Sequence, residues 1–215
     1  MGSVKIYTIP VGEPDGEIQV QVFFPTKEAI TKGGLQTADG LPAHVDYHGG
    51  GFVIGNLKSD ESWCRQTCHE LGCIVLNVDY RLAPEYPHPV PLTDCWAALK
   101  WTFASAKELG IDSNRLSVGG GSAGGQLAAV VSLLAKDEPG MPKLVLQLLE
   151  APCIDARFVP LEFDISCSSD VLYESLIKNE FAPCLPLHRL VWFYNLWLGT
   201  DLGMLSSYIS LSRAA

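Results

Sequence analysis

The 215-residue sequence lacks a basic run, an apolar stretch long enough to span a membrane and the apolar core of a signal peptide. It carries 15 Lys and Arg against 24 Asp and Glu and has no basic run, which argues against nucleic acid or an anionic membrane surface as the main partner. Its longest apolar stretch, Leu187–Leu198, is too short to span a bilayer, and the N-terminus has no apolar core of the signal-peptide type. These absences predict a globular protein of the cytoplasm.

Cysteine is present, but not in a pattern that suits a disulfide framework. The count of seven is odd, which favours free thiols in a reducing compartment. Cys64, Cys68, His69 and Cys73 lie close enough in sequence to suggest zinc. Because Cys64 and Cys68 fall on the apolar stripe of a predicted helix, we interpret them instead as buried small hydrophobic residues. We therefore predict no metal.

Strand and helix patterns alternate along the first 150 residues. Six strands are predicted, at Val4–Pro10, Glu17–Pro25, Ala43–Tyr47, Cys73–Val78, Leu116–Val118 and Leu144–Leu149. Helices are predicted at Asp60–Leu71 with Ser59 as N-cap, Leu92–Leu109, Ala123–Lys136 and Leu187–Leu198, and a polar surface loop at Thr26–Pro42. This order predicts one α/β domain over residues 1–215, with a mostly parallel sheet and helices on both faces.

A glycine-rich turn connects the fifth predicted strand to the helix that follows it. Gly120-Gly121-Ser122-Ala123-Gly124 fits Gly-x-Ser-x-Gly, in which a sharp strand-to-helix turn exposes the serine hydroxyl beside a helix N-terminus. The alternative is a glycine-rich turn with a capping serine. The strand before the turn and the amphipathic helix after it favour a nucleophilic Ser122.

A second glycine run, His48-Gly49-Gly50-Gly51-Phe52, directly follows the Ala43–Tyr47 strand. Consecutive glycines allow backbone N–H groups to point into a cavity, and two such donors with the N–H of Ala123 would form an oxyanion hole, each worth about 3–4 kcal/mol. The alternative is a phosphate-binding loop. It is disfavoured because no Gly-Lys-Ser/Thr follows and no Gly-x-Gly-x-x-Gly opens a helix.

With Asp79–Glu85 (DYRLAPE) between them, these motifs resemble the hormone-sensitive-lipase-like branch of the α/β-hydrolases, from about Val4 to Tyr208. The resemblance implies a carboxylesterase or lipase that acts on a small or medium ester through a Ser–Asp–His triad, without metal or organic cofactor. It assigns Ser122 as the nucleophile and Gly50, Gly51 and Ala123 as oxyanion donors. His48, Gly49, Gly120 and Gly124 take structural roles in the motifs.

The sequence departs from the family's pattern in three respects. Gly121 stands where Asp or Glu is usual, and Gln126 where Asn is common. In the family, the acid and the histidine come so far after the nucleophile that both would fall beyond Ala215. The only histidine after Ser122 is His188, within a lid-like helical segment at about 152–200.

Three functional hypotheses follow. Glu150 and Asp155 lie after the last predicted strand, but no imidazole is placed beside them. We therefore expect a serine esterase that is weak or inactive. The alternatives are a receptor-like protein that binds a hydrophobic small molecule without turnover, and a truncated, inactive hydrolase from a biosynthetic pathway.

Two expectations concern the apolar segments of the second half. Trp192, Phe193, Tyr194 and Trp197 either wall an acyl pocket or pack in the core. The Leu144–Leu149 strand has no predicted neighbour on one side and no Lys or Pro to protect that edge. It therefore predicts self-association as a homodimer, or aggregation.

Overall fold

A computed structural model describes residues 2–154 and 174–199 of the chain. Asp155, one of the candidate acids, lies outside the described residues, as does part of the lid-like segment. The extent of the single domain over 1–215 therefore stays a prediction.

The described residues form one six-stranded, mostly parallel sheet. Its strands are β1 (Val4–Val11), β2 (Gly16–Phe23), β3 (Leu41–Tyr47), β4 (Ile74–Asp79), β5 (Ile111–Gly121) and β6 (Leu146–Glu150), in the order β1-β2-β4-β3-β5-β6. The first two strands form an antiparallel hairpin, and β2 is also antiparallel to β4. The remaining pairs are parallel. This architecture confirms the predicted α/β fold.

Helices cover both faces of the sheet. They are α1 (Lys27–Gly33), α2 (Glu61–Leu71), α3 (Val90–Ala104), α4 (Ala106–Leu109), α5 (Ala123–Asp137), α6 (Glu174–Lys178) and α7 (Leu187–Leu198). Because side chains alternate along a strand, His44 and Asp46 of β3 face α2, while Val45 and Tyr47 join the core beneath α3 and α5. No helix in the described ranges is long and apolar enough to cross a membrane.

The helix predictions need three corrections. Thr26–Pro42 is not all loop: α1 forms there because the Thr26 hydroxyl accepts a hydrogen bond from the Ala29 N–H at 3.1 Å and Gly34 ends the helix in a left-handed conformation. The N-cap of α2 is Asp60, not Ser59. The helix predicted over Leu92–Leu109 breaks at Ser105, where the backbone leaves helical geometry.

The register of β3 against β5 brings the two glycine motifs to one edge of the sheet. Tyr47, the last residue of β3, is paired with Gly120 of β5. The chain leaving β3 at His48 and the chain leaving β5 at Ser122 therefore emerge side by side. Because β3 and β5 are parallel, the glycine run at His48 and the turn at Ser122 are neighbours in space although they are 74 residues apart in sequence.

Within the described residues, β6 lies at the outer edge of the sheet and pairs only with β5. Leu146 is 55% exposed and Leu148 is 45% exposed, although the strand is apolar. The predicted edge strand is confirmed for the described part of the chain. Self-association through it stays a prediction.

Candidate active site

Ser122 sits at the sharp turn between β5 and α5. Its φ is 52° and its ψ is −114°, a positive-φ conformation that is unusual for a residue with a side chain. Three backbone hydrogen bonds hold it there: its N–H donates to the Glu150 carbonyl at 2.8 Å, and its carbonyl accepts from the N–H groups of Gln126 at 3.1 Å and Cys153 at 3.3 Å. The strained residue is thus fixed by both the helix and the neighbouring strand.

The glycines around Ser122 differ in how much space surrounds them. A Cβ on Gly120 or on Gly124 would overlap the carbonyl oxygen of Tyr47. A Cβ on Gly121 would meet nothing within 4 Å. The turn therefore requires glycine at positions 120 and 124 for close backbone approach, whereas position 121 has room for a side chain.

His48 is completely buried beneath the loop that follows β3. Its Nδ1–H donates to the Gly49 carbonyl at 2.7 Å, and its ring stacks on Tyr80 at 4.3 Å between centroids. The Tyr80 hydroxyl in turn donates to the His48 carbonyl at 2.7 Å. Burial lowers the pKa of His48, and the partners of its ring are the Gly49 carbonyl and Tyr80.

Gly50 and Gly51 adopt positive φ angles of 120° and 61°. A side chain at Gly50 would overlap the Ile54 carbonyl, and one at Gly51 would overlap the ring of Phe193 on α7. Both glycines and Ser122 line one cavity of about 720 Å³. Ala123, the first residue of α5, is fully buried beside them.

Sequence reasoning missed how the DYRLAPE segment supports this loop. Arg81 donates to both carboxylate oxygens of the fully buried Asp94 at 2.7 and 2.8 Å, and to the carbonyls of Gly12 and Pro14 in the β1–β2 turn. The segment thereby joins the hairpin, α3 and, through Tyr80, the His48 loop. A buried Asp at a helical position thirteen residues after an Arg carries no local sequence signal.

A second cavity of about 710 Å³ lies on the β6 side of Ser122 and is lined by acidic residues. Asp46, Asp60 and Glu150 all contribute to it. Burial raises the pKa of Asp46 to about 8, and burial also raises the pKa of Asp60. Ser122 therefore lies between two cavities, and the one toward β6 is acidic.

The structure brings some of the candidate acid and base residues near Ser122. His188 is exposed on α7 and lines the 720 Å³ cavity with Ser122, while Glu150 ends β6 and lines the acidic cavity. Among the described residues, the only side chain within hydrogen-bonding distance of the Ser122 hydroxyl is Cys153, whose Sγ is 3.5 Å from Oγ. Sequence reasoning did not single out Cys153.

The aromatic residues of α7 divide between the core and the wall of the 720 Å³ cavity, and acyl binding there stays a prediction. Trp197 is 3% exposed and stacks on Phe52 with ring centroids 3.9 Å apart, so it belongs to the core. Trp192 and Phe193 line the 720 Å³ cavity, as does one side of the buried Tyr194. Core packing through Trp197 thus holds the cavity wall over the Gly50–Gly51 loop.

Cys64 and Cys68 are buried, as the helical stripe predicted, in a small cluster with Phe23, Cys73 and Val75. Helical spacing also places Trp63 and Leu71 on the same side of α2 as Cys64 and Cys68, but they are 37% and 51% exposed. Burial raises the pKa of Cys68 to about 12 and of Cys73 to about 11, which keeps these thiols protonated.

Comparison with known proteins identifies the family. A family model described as alpha/beta hydrolase fold matches residues 44–213. The chain therefore belongs to the α/β-hydrolases, in the hormone-sensitive-lipase-like branch that its motifs indicated.

Among solved structures, a bacterial heroin esterase superposes with a TM-score of 0.80 at 34% identity, covering 99% of this chain and 62% of that one. The metagenomic carboxylesterase EstE1 gives 0.79 at 34% identity, covering 98% of this chain and 64% of that one. These superpositions confirm the α/β-hydrolase fold.

Curated relatives include two from Mycobacterium tuberculosis. Esterase LipI is 33% identical over 91% of this chain and 55% of its own length. Carboxylesterase NlhH is 39% identical over 79% of this chain and 50% of its own length. The chain thus spans about half the length of the curated relatives that it matches.

Proposed function

We propose that this protein is a serine hydrolase of the carboxylesterase type, with Ser122 as its nucleophile. The observation that carries the proposal is the conformation of Ser122: a positive φ held by three backbone hydrogen bonds, in a cavity shared with the positive-φ glycines Gly50 and Gly51. Relatives named as esterases support the same chemistry.

In the proposed reaction, Ser122 Oγ attacks the carbonyl carbon of the ester. The N–H groups of Gly50, Gly51 and Ala123 stabilise the negative charge that develops on the carbonyl oxygen. The bond to the alcohol then breaks, and the alcohol leaves with the proton from the serine hydroxyl. Water hydrolyses the resulting acyl-serine and releases the acid.

Labelling with a fluorophosphonate tests the nucleophile directly. We expect one phosphonylated residue, Ser122, when the labelled protein is digested and analysed by mass spectrometry. Ser122→Ala should abolish the label, whereas Ser132→Ala, on the same helix, should leave it unchanged. A folded protein that takes no label at Ser122 would refute the proposal.

Weak turnover is the second part of the proposal. It is supported by the thiol of Cys153, which is the only hydrogen-bonding partner of Ser122 Oγ among the described side chains, where an activated serine needs a base. Oxyanion stabilisation and binding alone would leave a rate enhancement of roughly 10³–10⁴ over water. Hydrolysis of 4-nitrophenyl butyrate by the wild type, measured beside Ser122→Ala, gives this rate. A kcat in the ordinary range of esterases would overturn the proposal of weak turnover.

The same contact favours the receptor-like alternative, in which the cavity binds a small hydrophobic ligand and does not turn it over. Calorimetric titration with 4-phenylbutyrate separates the two functions. Saturable binding without fluorophosphonate labelling or ester hydrolysis would favour the receptor-like protein.

A further inference from the structure

The described residues that line the cavity on the α7 side of Ser122 are mostly apolar and carry a single permanent charge. Among the described residues that line it, Arg189 is the only Lys or Arg, and no Asp or Glu is present. Arg189 is exposed and donates from Nη1 to the Cys184 carbonyl at 3.1 Å, but no described carboxylate forms an ion pair with it. Its charge is therefore available to a ligand in the cavity.

The position of Arg189 relative to the reacting atoms follows from the geometry of α7. Phe193, four residues later on the same face of the helix, lies directly against Gly51. Residues four apart are separated by about 6 Å along a helix. Arg189 thus lies about one helical turn before the residue that contacts Gly51, and it lines the same cavity as Gly51 and Ser122.

Among the described residues, the cavity on the β6 side of Ser122 has no Lys or Arg in its lining. The second cavity carries the carboxyl groups of Asp46, Asp60 and Glu150, and the chain as a whole has a net charge of −9. An anionic group on a bound ester would be unfavourable toward β6 and favourable toward Arg189. The two cavities therefore impose one orientation on a charged ester.

We propose that the site takes an ester that bears a carboxylate, bound by Arg189 in the cavity that Ser122 also lines, with its apolar or aromatic body against Trp192 and Phe193. The proposal rests on the proposed function, since it names the substrate class of that site. Arg189 acts here as a specificity-determining residue and takes no part in bond making or breaking.

A matched pair of esters tests this preference. We would use 4-carboxyphenyl butyrate and its neutral counterpart, 4-carbamoylphenyl butyrate, with Ser122→Ala protein so that binding is measured without turnover. Quenching of tryptophan fluorescence, with calorimetry as a second readout, gives the dissociation constants. We expect the carboxylate to bind about fivefold more tightly at low salt, and the ratio to fall as ionic strength rises.

Three further substitutions assign the preference to Arg189. Arg189→Gln should bring the ratio close to one, Arg189→Lys should retain part of it, and Lys178→Gln, which removes a charge from the neighbouring helix α6, should leave it unchanged. Equal affinities in the parent protein, or a preference that survives Arg189→Gln, would overturn the inference. Circular dichroism and affinity for the neutral ester show that the variants are folded.

The outcome separates this inference from the proposed function. Wild-type protein that takes the fluorophosphonate at Ser122 but does not distinguish the two esters would refute only the role of Arg189. Wild-type protein that binds the carboxylate preferentially but takes no label would refute only the serine hydrolase.

Discussion

Strands β3 and β6 flank the same strand, β5, in very different surroundings. On β3, Val45 and Tyr47 are completely buried, and α5 packs across the strand. On β6, Leu146 and Leu148 remain about half exposed. Ser122 thus lies between a tightly packed part of the sheet and an exposed edge strand.

The comparison shows what each side contributes to the site. The β3 side supplies the glycine loop and the close backbone approach that fixes the turn at Gly120 and Gly124. The β6 side supplies the Glu150 carbonyl, which accepts from the Ser122 N–H, and, just beyond the strand, the Cys153 N–H, which donates to the Ser122 carbonyl. We therefore expect substitutions on the β3 side to have much larger effects than those on the edge.

The largest effect should come from Gly124→Ala. Its Cβ would overlap the backbone of Tyr47, which cannot move without displacing β3, so we expect a loss of more than about 4 kcal/mol or no folded protein. Gly121→Ala is the matched control, because its Cβ would have no neighbour within 4 Å. It should stabilise the protein by about 0.4–1 kcal/mol, because alanine lowers the conformational entropy of the unfolded chain. Urea unfolding measures both, and similar stabilities for the two variants would contradict the packing argument.

The second effect concerns the buried carboxyl of Asp46. Its pKa is raised to about 8 in the folded protein, so the folded state keeps a proton that the unfolded state loses near its ordinary pKa of about 4. Stability should therefore fall as the pH rises through this window, most steeply between about pH 5 and pH 8. Asp46→Asn removes the titration, and its stability relative to wild type should increase by on the order of 4 kcal/mol between pH 5 and pH 8.5.

Asp112→Asn is the control for that measurement. The Arg115 guanidinium beside Asp112 lowers the pKa of its carboxyl, so the group stays ionised across the same range. Its effect on urea unfolding should be the same at pH 5 and at pH 8.5. A pH-independent effect of Asp46→Asn would show that its carboxyl does not titrate as proposed.

A smaller effect is expected for Tyr80→Phe. The substitution leaves the ring that stacks on His48 but removes the hydroxyl that donates to the His48 carbonyl, at a cost of about 1–2 kcal/mol. Fluorophosphonate labelling should also slow, because this bond holds the glycine loop. Tyr7→Phe, in the β1–β2 hairpin, should leave both the urea midpoint and the labelling rate unchanged, and equal effects of the two would argue against the support role.

The smallest effect on stability should follow Leu146→Lys. On the exposed edge it should change the free energy of unfolding by less than about 0.5 kcal/mol, whereas Leu116→Lys, on buried β5, should prevent folding. The same lysine should disfavour strand pairing between copies. Sedimentation analysis of wild type and variant tests this, and a dimer that persists in Leu146→Lys would place the contact elsewhere.

The sequence predicted those parts of the site that depend on local chemistry. Six strands, the turn at Ser122 and the glycine loop after β3 carry their own patterns, because glycine runs and apolar alternation act over a few residues. The short helix α1 was missed because it buries only Ala29 and so has no apolar stripe. Arg81–Asp94 and Cys153–Ser122 were missed because their partners come together only through the packing of distant elements.

The bonds that set the Ser122 turn also have a consequence for how the nascent chain matures on the ribosome. Among the described residues, all those that bond to the backbone of Ser122 have been synthesised by Cys153, whereas Phe193, which covers the glycine loop, follows about 40 residues later. At roughly 5–20 residues per second, that interval lasts on the order of two to eight seconds. Synthesis therefore completes the residues that bond to Ser122 before it reaches the helix that covers the glycine loop.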